Sequence, residues 1–557
     1  MTSIGSAQPL TSVLFRGGHI YSPTDPQATA MLVEFRPGSD RAIDGGAIDG
    51  RAVDGRIAWL GDAADAPAAD RVVDLDGALV TPAFVDAHVH TTNTGMMLTG
   101  LDLSAVRSAA GMLDALARHV ATVPTDAVVL GFGFDESTWD DQSLPTPQEL
   151  DRAAGGRRAL LSQASMHSAL ASPAMLAAAG PQVSGMAGYD PSGWVRRDAH
   201  HAVRSVALGS VSAAQRRAMQ EAALRHAATL GIAAIHECAG PVTSSEDDLT
   251  DVLALGGLRR DADGGLPEVY GYWGELLAAA KAKELGAIGA GGDLFADGAL
   301  GARTAHLSVP YVDGEPDACG HGYLTAAQVT EHVVDCVRHG MQAGFHAIGD
   351  EALRTVVAGY REAAAIVGIE RLRDGRHRIE HVEIVDKAII AGLAELGLVA
   401  SMQPAFDRLW GGEGQMYEQR LGLHRSLESN PMGALHGVGV ALAFGSDSPV
   451  TPFDPWGSVR AAVHHHNAAY RMSVKAAFAA HTRGGWRAVH QDDHGTLVPG
   501  APATFAAWSV PAGLAAPGSA GDGDRGVGPG LPALRPDEEL PRCRRTVLRG
   551  VTIYEQP

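Results

Sequence analysis

The stretch Leu79-Val-Thr-Pro-Ala-Phe-Val-Asp86-Ala-His88-Val-His90 decides how the rest of the chain is read. A short apolar run, residues 83–85, leads into two histidines spaced i, i+2. In a strand, alternate side chains leave the same face, so both imidazoles emerge together. Two neutral imidazoles converging on one point suit a divalent metal of the zinc class. If the strand belongs to a barrel, its C-terminal end is where catalytic groups collect. A surface strand with two incidental histidines fits the pair as well, so the other strand ends must decide.

The middle of the chain alternates apolar strand candidates with alanine-rich helical stretches, the pattern of a parallel α/β fold. Strands are expected at 127–130, 159–161, 232–235, 341–345, 378–380, 398–401 and 440–444, and helices at 212–229 and 326–339. Three of these strand ends carry metal-type side chains: His346 after Phe345, His381 after Ile379-Glu380, and Asp447 after Phe444-Gly-Ser. Buried imidazoles and carboxylates are costly unless paired or liganded. Singly, each reads as a satisfied core histidine or a helix cap. The order HxH, H, H, D on successive α/β units makes coincidence a poor account.

Outside the middle the style changes. Residues 11–80 read as short strands (12–21, 31–35, 56–60) around a tandem repeat, Ala42-Ile-Asp-Gly45, Ala47-Ile-Asp-Gly50 and Ala52-Val-Asp-Gly55, whose Asp-Gly pairs favour turns. Strand-like segments return at 495–500, 503–508 and 546–554, while 511–541 is rich in Gly, Pro, Ala and Asp and reads as a flexible surface loop. The expected architecture is α/β: a (β/α)8 TIM-type barrel over 81–494. A small β-sandwich domain is expected from 1–80 together with 495–557. The span 91–206 is too long for one crossover, which implies an inserted subdomain or lid after the first barrel strand.

Composition sets bounds. The 557 residues exceed one ordinary domain, and 45% hydrophobic content describes a soluble globular protein with ample core. No run of eighteen apolar residues appears, and the first ten residues lack a basic start and an apolar stretch, so a cytoplasmic protein without a membrane partner is expected. A formal charge of −20 opposes binding to nucleic acid or anionic lipid, leaving a small-molecule substrate as the expected partner and a homo-oligomer open. Cys238, Cys319, Cys336 and Cys543 lie far apart without CxxC spacing and read as reduced thiols. His464-His465-His466 falls in a helix or loop where neighbours do not converge, and His236 ends another strand candidate but fits a packed core residue equally well.

Seven motifs carry a resemblance. They are Thr81-Pro-Ala-Phe-Val-Asp-Ala-His-Val-His90, Gly131-Phe-Gly-Phe-Asp-Glu-Ser-Thr-Trp139, Leu294-Phe-Ala-Asp-Gly-Ala-Leu-Gly-Ala-Arg-Thr-Ala305, His346-Ala-Ile-Gly-Asp350, Arg378-Ile-Glu-His381, Met402-Gln-Pro404 and Gly445-Ser-Asp-Ser-Pro449. Across essentially its whole length the chain resembles the family 3 branch of the amidohydrolase superfamily, which includes N-substituted formamide deformylases. The resemblance implies that His88, His90 and Asp447 bind the more buried metal and His346 and His381 a second one. It also implies that Asp447 and His381 are the catalytic residues, Asp447 accepting the proton of the attacking water. The metal would be divalent, zinc before others, and the bond hydrolysed an amide-type or formamide-type C–N bond.

The departures from the family matter as much. The family commonly places a carboxylated lysine, bridging two metals, four residues before the Asp-Gly pair; here that position is Asp293, before Asp297-Gly298. The chain's four lysines, Lys281, Lys283, Lys387 and Lys475, all lie elsewhere. An aspartate is about four bonds shorter and cannot span the same gap without backbone movement. That leaves one metal, two metals bridged by water alone, or a shifted strand that lets Asp293 bind; one tight metal with a weak second site is favoured. Asp293 as a turn or cap residue stands beside ligation. The family's Asp-Gly-His segment reads Ser165-Met166-His167, and the segment after Gln403-Pro404 lacks the family's histidine, so an altered, more apolar pocket is expected. Trp139, His167, Arg303 and Gln403 are the nominated substrate contacts. A mononuclear deaminase of a small heterocycle is the alternative, with Glu351 and Glu383 the available extra carboxylates. A non-catalytic relic is disfavoured by the intact His88, His90, His346, His381 and Asp447.

Overall fold

The computed structural model describes residues 11–37, 47–48, 51–164, 167–258, 264–510 and 530–557. Eight strands form its central sheet: β1 (Phe84–Val89), β2 (Ile232–Ala239), β3 (Glu268–Trp273), β4 (Gly289–Ala290), β5 (Gln342–Ala347), β6 (Arg378–His381), β7 (Val399–Met402) and β8 (Ala441–Phe444). They hydrogen-bond in sequence order and pair parallel throughout. Helices cover the outer face, so most strand residues are buried on both sides, as continuous apolar strands require. The helix Ala326–His339 shows why the boundaries fall where they do. Thr325 and Gln328 form a capping box at its start, and Gly340 closes it with φ 68°.

The barrel is nearly closed. The Asp447 N–H donates to the His88 carbonyl (2.8 Å) and the His90 N–H to the Ser448 carbonyl (2.9 Å), joining β1 to the segment after β8. A Cβ on Gly445 would sit 2.6 Å from the His88 nitrogen, so this approach requires glycine. Lower in the seam the Val85 N–H donates to the His481 carbonyl, and His481 Nδ1 lies 2.9 Å from the Val85 carbonyl oxygen. The two strands therefore meet at the end where functional groups are expected.

The strand β4 is only two residues long. Residues 289–292 read Gly-Ala-Gly-Gly, and a Cβ on Gly291 would meet the Gly344 nitrogen at 2.3 Å. Across the strand, a Cβ on Gly274 would meet the Asp293 carbonyl carbon at 2.8 Å. Stripped of side chains, the backbone presses between its neighbours, turns at Gly292 (φ 72°) and resumes pairing with β5 through Leu294 and Ala296. The interruption falls beside Asp293.

Both chain ends contribute to one five-stranded sheet, in the order His19–Ile20, Leu79–Pro82, Phe505–Ser509, Arg542–Leu548, Val551–Glu555. A second sheet runs Ala47–Ile48, Arg51–Gly61, Ala30–Pro37, Ser12–Arg16, Arg71–Asp74. Phe15, Val33, Ile57, Val80, Phe505 and Val547 of the two sheets share one buried cluster. Most of the tandem repeat lies outside the described residues, as do 511–529 of the expected loop. The remainder of that loop is not loose, since Leu531 and Leu534 are buried.

Residues 91–223 form a compact unit of their own, longer than the expected 91–206 span. Its sheet runs Leu101–Asp102, Val129–Phe134, Ala159–Gln163, Ser168–Ala171, Trp194–Arg196. Leu103, Phe134, Trp139, Leu150 and Leu161 belong to one of its buried clusters. Among the described residues no helix is long and apolar enough to cross a membrane, and all four cysteines are free thiols.

Gly291→Ala should destabilise the fold by about 1–3 kcal/mol, the usual cost of forcing a methyl into packed backbone. Urea denaturation checks this as a lower midpoint at unchanged slope. A wild-type midpoint would mean that β4 does not need its close approach.

Candidate metal centre

Six side chains meet at the C-terminal end of the barrel: His88 and His90 from β1, Asp293 after β4, His346 from β5, His381 from β6 and Asp447 after β8. Asp293 is their centre. Its Oδ1 lies 3.5 Å from His88 Nε2, 3.5 Å from His346 Nδ1 and 3.8 Å from His381 Nε2, and its Oδ2 lies 3.2 Å from His90 Nε2. Asp447 Oδ1 faces the first pair, 3.5 Å from His88 Nε2 and 3.2 Å from His90 Nε2. All six are buried, and His88 Nε2, His346 Nδ1, Asp293 Oδ1 and Asp447 Oδ1 take no hydrogen bond.

Orphaned buried donors are what a metal site leaves when described without its ion. Bonds of 2.0–2.1 Å at tetrahedral angles separate neighbouring ligand atoms by about 3.3 Å, close to the spacings found. The donor set of imidazole and carboxylate suits zinc-class divalent ions. Electrostatics agrees. Burial alone would raise the Asp293 pKa, but His88, His346 and His381 around it hold the carboxyl well below its ordinary range. Burial likewise opposes the charge on His90, yet Asp293 and Asp447 lift its pKa well above normal. The two carboxylates draw positive charge into the site, and an ion supplies it without protonating ligands.

The sequence left Asp293 open between ligation and a turn or cap role; here its carboxylate stands among the four imidazoles, on a glycine-rich backbone packed closely against its neighbours.

Behind the donors stands a buried layer that orients them. His88 Nδ1 lies 2.9 Å from Glu380 Oε2, and His381 Nδ1 lies 2.8 Å from Gln403 Oε1. His346 Nε2 lies 3.2 Å from the Gly298 carbonyl, so this ring turns Nδ1 inward where the others turn Nε2. In each ring one nitrogen meets an acceptor, which fixes its tautomer and leaves the other lone pair for a metal. Glu380 is itself held by Arg378, which also donates to the Ala87 carbonyl (2.6 Å) and Ser401 Oγ (2.7 Å) and contacts His236 Nδ1 (3.0 Å). Burial pushes the Glu380 carboxyl up, but Arg378 and His88 override it and keep it ionised. Burial and Arg378 push His236 far down, which makes it a neutral spacer.

The loops are pinned in the same way. Asp86 Oδ1 accepts the Ser446 N–H (2.8 Å), tying β1 to the segment that presents Asp447; burial raises its pKa to about 6. Asp297 accepts the N–H groups of His306, Ile348 and Gly349, which explains the Asp-Gly motif. His381 (φ 73°) and Asp447 (φ 58°) hold left-handed backbone conformations that non-glycine residues adopt only under constraint.

A cavity of about 280 Å³ opens onto this centre; His90, Asp293, His346, His381 and Asp447 line it together with Glu383, Phe406, Trp410, Met416 and Tyr417. Glu383 is 2% exposed, and burial pushes its pKa to about 7 although the Tyr417 hydroxyl donates to it. Gln403 serves His381 rather than the cavity. Arg303 is a correction: its φ of 59° turns it to the surface, where it forms a bidentate pair with Asp313 (2.9 and 2.7 Å). Trp139 is a core residue of the 91–223 unit, its Nε1–H donating to the Val106 carbonyl, and His167 is exposed on that unit. Glu351 pairs with Arg354. His465 and His466 face Asp407, away from the six donors. Sequence reading missed Arg378, Glu380 and Tyr417 as functional residues. The signal for the first two was visible, since a charged pair inside a buried strand needs a reason.

The amidohydrolase family model matches residues 71–554. A relative from Bacillus subtilis that carries the name amidohydrolase YtcJ is 27% identical over 412 residues, covering 70% of this chain and 74% of its own. N-substituted formamide deformylase of Arthrobacter pascens is 24% identical over 432 residues, with the same two coverages. A metal-dependent hydrolase from Pyrococcus furiosus shares the fold at a TM-score of 0.69 and 24% identity, over 89% of this chain and 98% of that one. With the model spanning most of the sequence and the donors at the barrel mouth, the chain belongs to the amidohydrolase family of metal-dependent hydrolases.

Proposed function

We propose that this amidohydrolase, which acts on C–N bonds other than peptide bonds, cleaves a small amide, with N-substituted formamides the first class to test. One observation carries the reading: four imidazoles and Asp447 surround Asp293 with unsatisfied donor atoms on both sides of it. His88, His90 and Asp447 would hold one ion and His346 and His381 another, with Asp293 between. This reading prefers two divalent ions, zinc first, to the single tight metal favoured by sequence. The deformylase among the relatives supports the bond type.

A divalent metal held there polarises the scissile carbonyl and lowers the pKa of the attacking water towards neutrality. The chain's residues do the rest. Asp447, fixed by its N–H bond to His88, takes the water's proton and carries it to the leaving nitrogen. His381, locked by Gln403, keeps its Nε2 turned to the centre so that the carbonyl side stays ordered. Phe406 and Trp410 line the cavity and exclude bulk water. The buried Glu383 favours a second reading, a deaminase of a small heterocycle, in which that carboxyl would serve a ring nitrogen.

Three outcomes are expected. Elemental analysis of protein purified without chelators should find close to two metals per chain, Asp293→Asn should hold fewer than one, and chelation should abolish activity that zinc restores. No metal after supplementation would reject both readings. Asp447→Asn should bind metal yet lose about 10²–10⁴-fold in kcat on any substrate found, the usual range for a proton-transfer group. Glu380→Gln should weaken metal affinity about 10–100-fold, measured by competition with a chromogenic chelator. Wild-type affinity there would show that His88 needs no carboxylate behind it.

A further inference from the structure

The cavity beside the metal centre has an unusual far wall. Leaving His381, whose imidazole stacks on Phe406 with centroids 6.0 Å apart, three aromatic rings follow in series. Phe406 and Trp410 lie 4.7 Å apart and Trp410 and Tyr417 6.2 Å apart. Glu383 sits at the end of this series, with the Tyr417 hydroxyl donating to its Oε2. Among the described residues, outside the six donors, it is the one acidic or basic group lining the cavity. Among the described residues no arginine or lysine pairs with it, in contrast to the equally buried Glu380, which Arg378 compensates.

A buried carboxyl that no arginine or lysine pairs with is costly to keep ionised, and the aromatic faces lining the same cavity carry no full charge. Together, however, a carboxylate and aromatic faces are the combination that binds ammonium groups: the carboxylate gives charge and the rings give cation–π attraction. Among the described residues no lysine or arginine fills that place. We infer that Glu383, Phe406, Trp410 and Tyr417 form a cage for an ammonium group on the substrate, within the cavity that the metal donors also line. The inference rests on the amide-hydrolase reading and narrows it to cationic amides. The chain's charge of −20 suits the attraction of such a cation.

The experiment has a binding arm and a turnover arm, both on the full-length metal-loaded protein. Calorimetric titration compares choline with its neutral isostere 3,3-dimethylbutan-1-ol. Choline should bind at least about tenfold more tightly, and Glu383→Gln and Trp410→Leu should each reduce that preference to near unity. Thermal melting confirms folding, with the near-isosteric Glu383→Gln deciding if Trp410→Leu unfolds. In turnover, N-(4-aminobutyl)formamide should exceed N-pentylformamide in kcat/KM through a lower KM, a gap that Glu383→Gln closes. Equal binding of the two alcohols, or a preference that survives Glu383→Gln, overturns the cage. So does an equal loss of kcat for both formamides in Glu383→Gln at unchanged KM, which would make Glu383 a proton-transfer group. Choline preference with no turnover of either formamide keeps the cage and rejects the formamide reading; turnover without preference does the reverse.

Discussion

Everything at the barrel mouth depends on one carboxylate reaching four imidazoles. Asp293 is short, so the reach has to come from the main chain, and the main chain can supply it only where neighbouring strands leave room. Gly274, Gly291 and Gly344 remove the side chains that would keep β4 at ordinary distance. The result is a strand reduced to two residues, interrupted in its pairing and re-aimed. Losing ladder hydrogen bonds and three side chains' worth of packing is a local sacrifice of stability for position, the trade functional sites commonly make.

The same economy governs the layer beneath. A barrel interior is a dry place for a guanidinium, a carboxylate and an imidazole, yet Arg378, Glu380 and His88 lie there fully buried. A buried ion pair is weak evidence for stability, because desolvation offsets the attraction. Its physical value here is geometric. Arg378 is anchored at Ala87, Ser401 and Glu380 at once, so Glu380 has one place to stand and His88 one tautomer. Removing either partner leaves the other uncompensated, which binds the three positions to one another more tightly than their separate interactions would.

What could be read from the sequence follows from how local the information is. The candidate ligands His88, His90, His346, His381 and Asp447 each stand at or just beyond the end of an apolar strand, so a period of two and a strand end single them out. Barrel strands β3 and β4 left no such trace. Glu268-Val-Tyr-Gly-Tyr-Trp273 carries an internal glycine, and residues 289–292 are nearly all glycine, which reads as a turn. Asp293 stayed open for the same reason: side-chain length is local, but the path of the backbone before it depends on the close approaches at Gly274, Gly291 and Gly344. Arg303 failed differently. It stands inside a family motif, yet its left-handed backbone and Asp313, ten residues on, direct it to solvent. Tyr417 and Glu383 are thirty-four positions apart, and no periodicity links them.

That last pair bears on specificity more than on chemistry. The donors around Asp293 are fixed by strands and by buried partners, so they define a reaction and little else. The cavity wall is built from the segments after β6 and β7, Val382 to Glu383 and the helix Pro404–Trp410, with Met416 and Tyr417 beyond. Although the Val382 N–H is tied to the Ala347 carbonyl of β5, the wall side chains Phe406, Trp410, Met416 and Tyr417 offer no metal donor, which frees them to vary in residue type while the six donors stay in place. Selection for a particular substrate therefore acts on the wall. Glu383, which accepts from the Tyr417 hydroxyl and which no arginine or lysine pairs with among the described residues, is the point at which that wall departs from a plain apolar pocket.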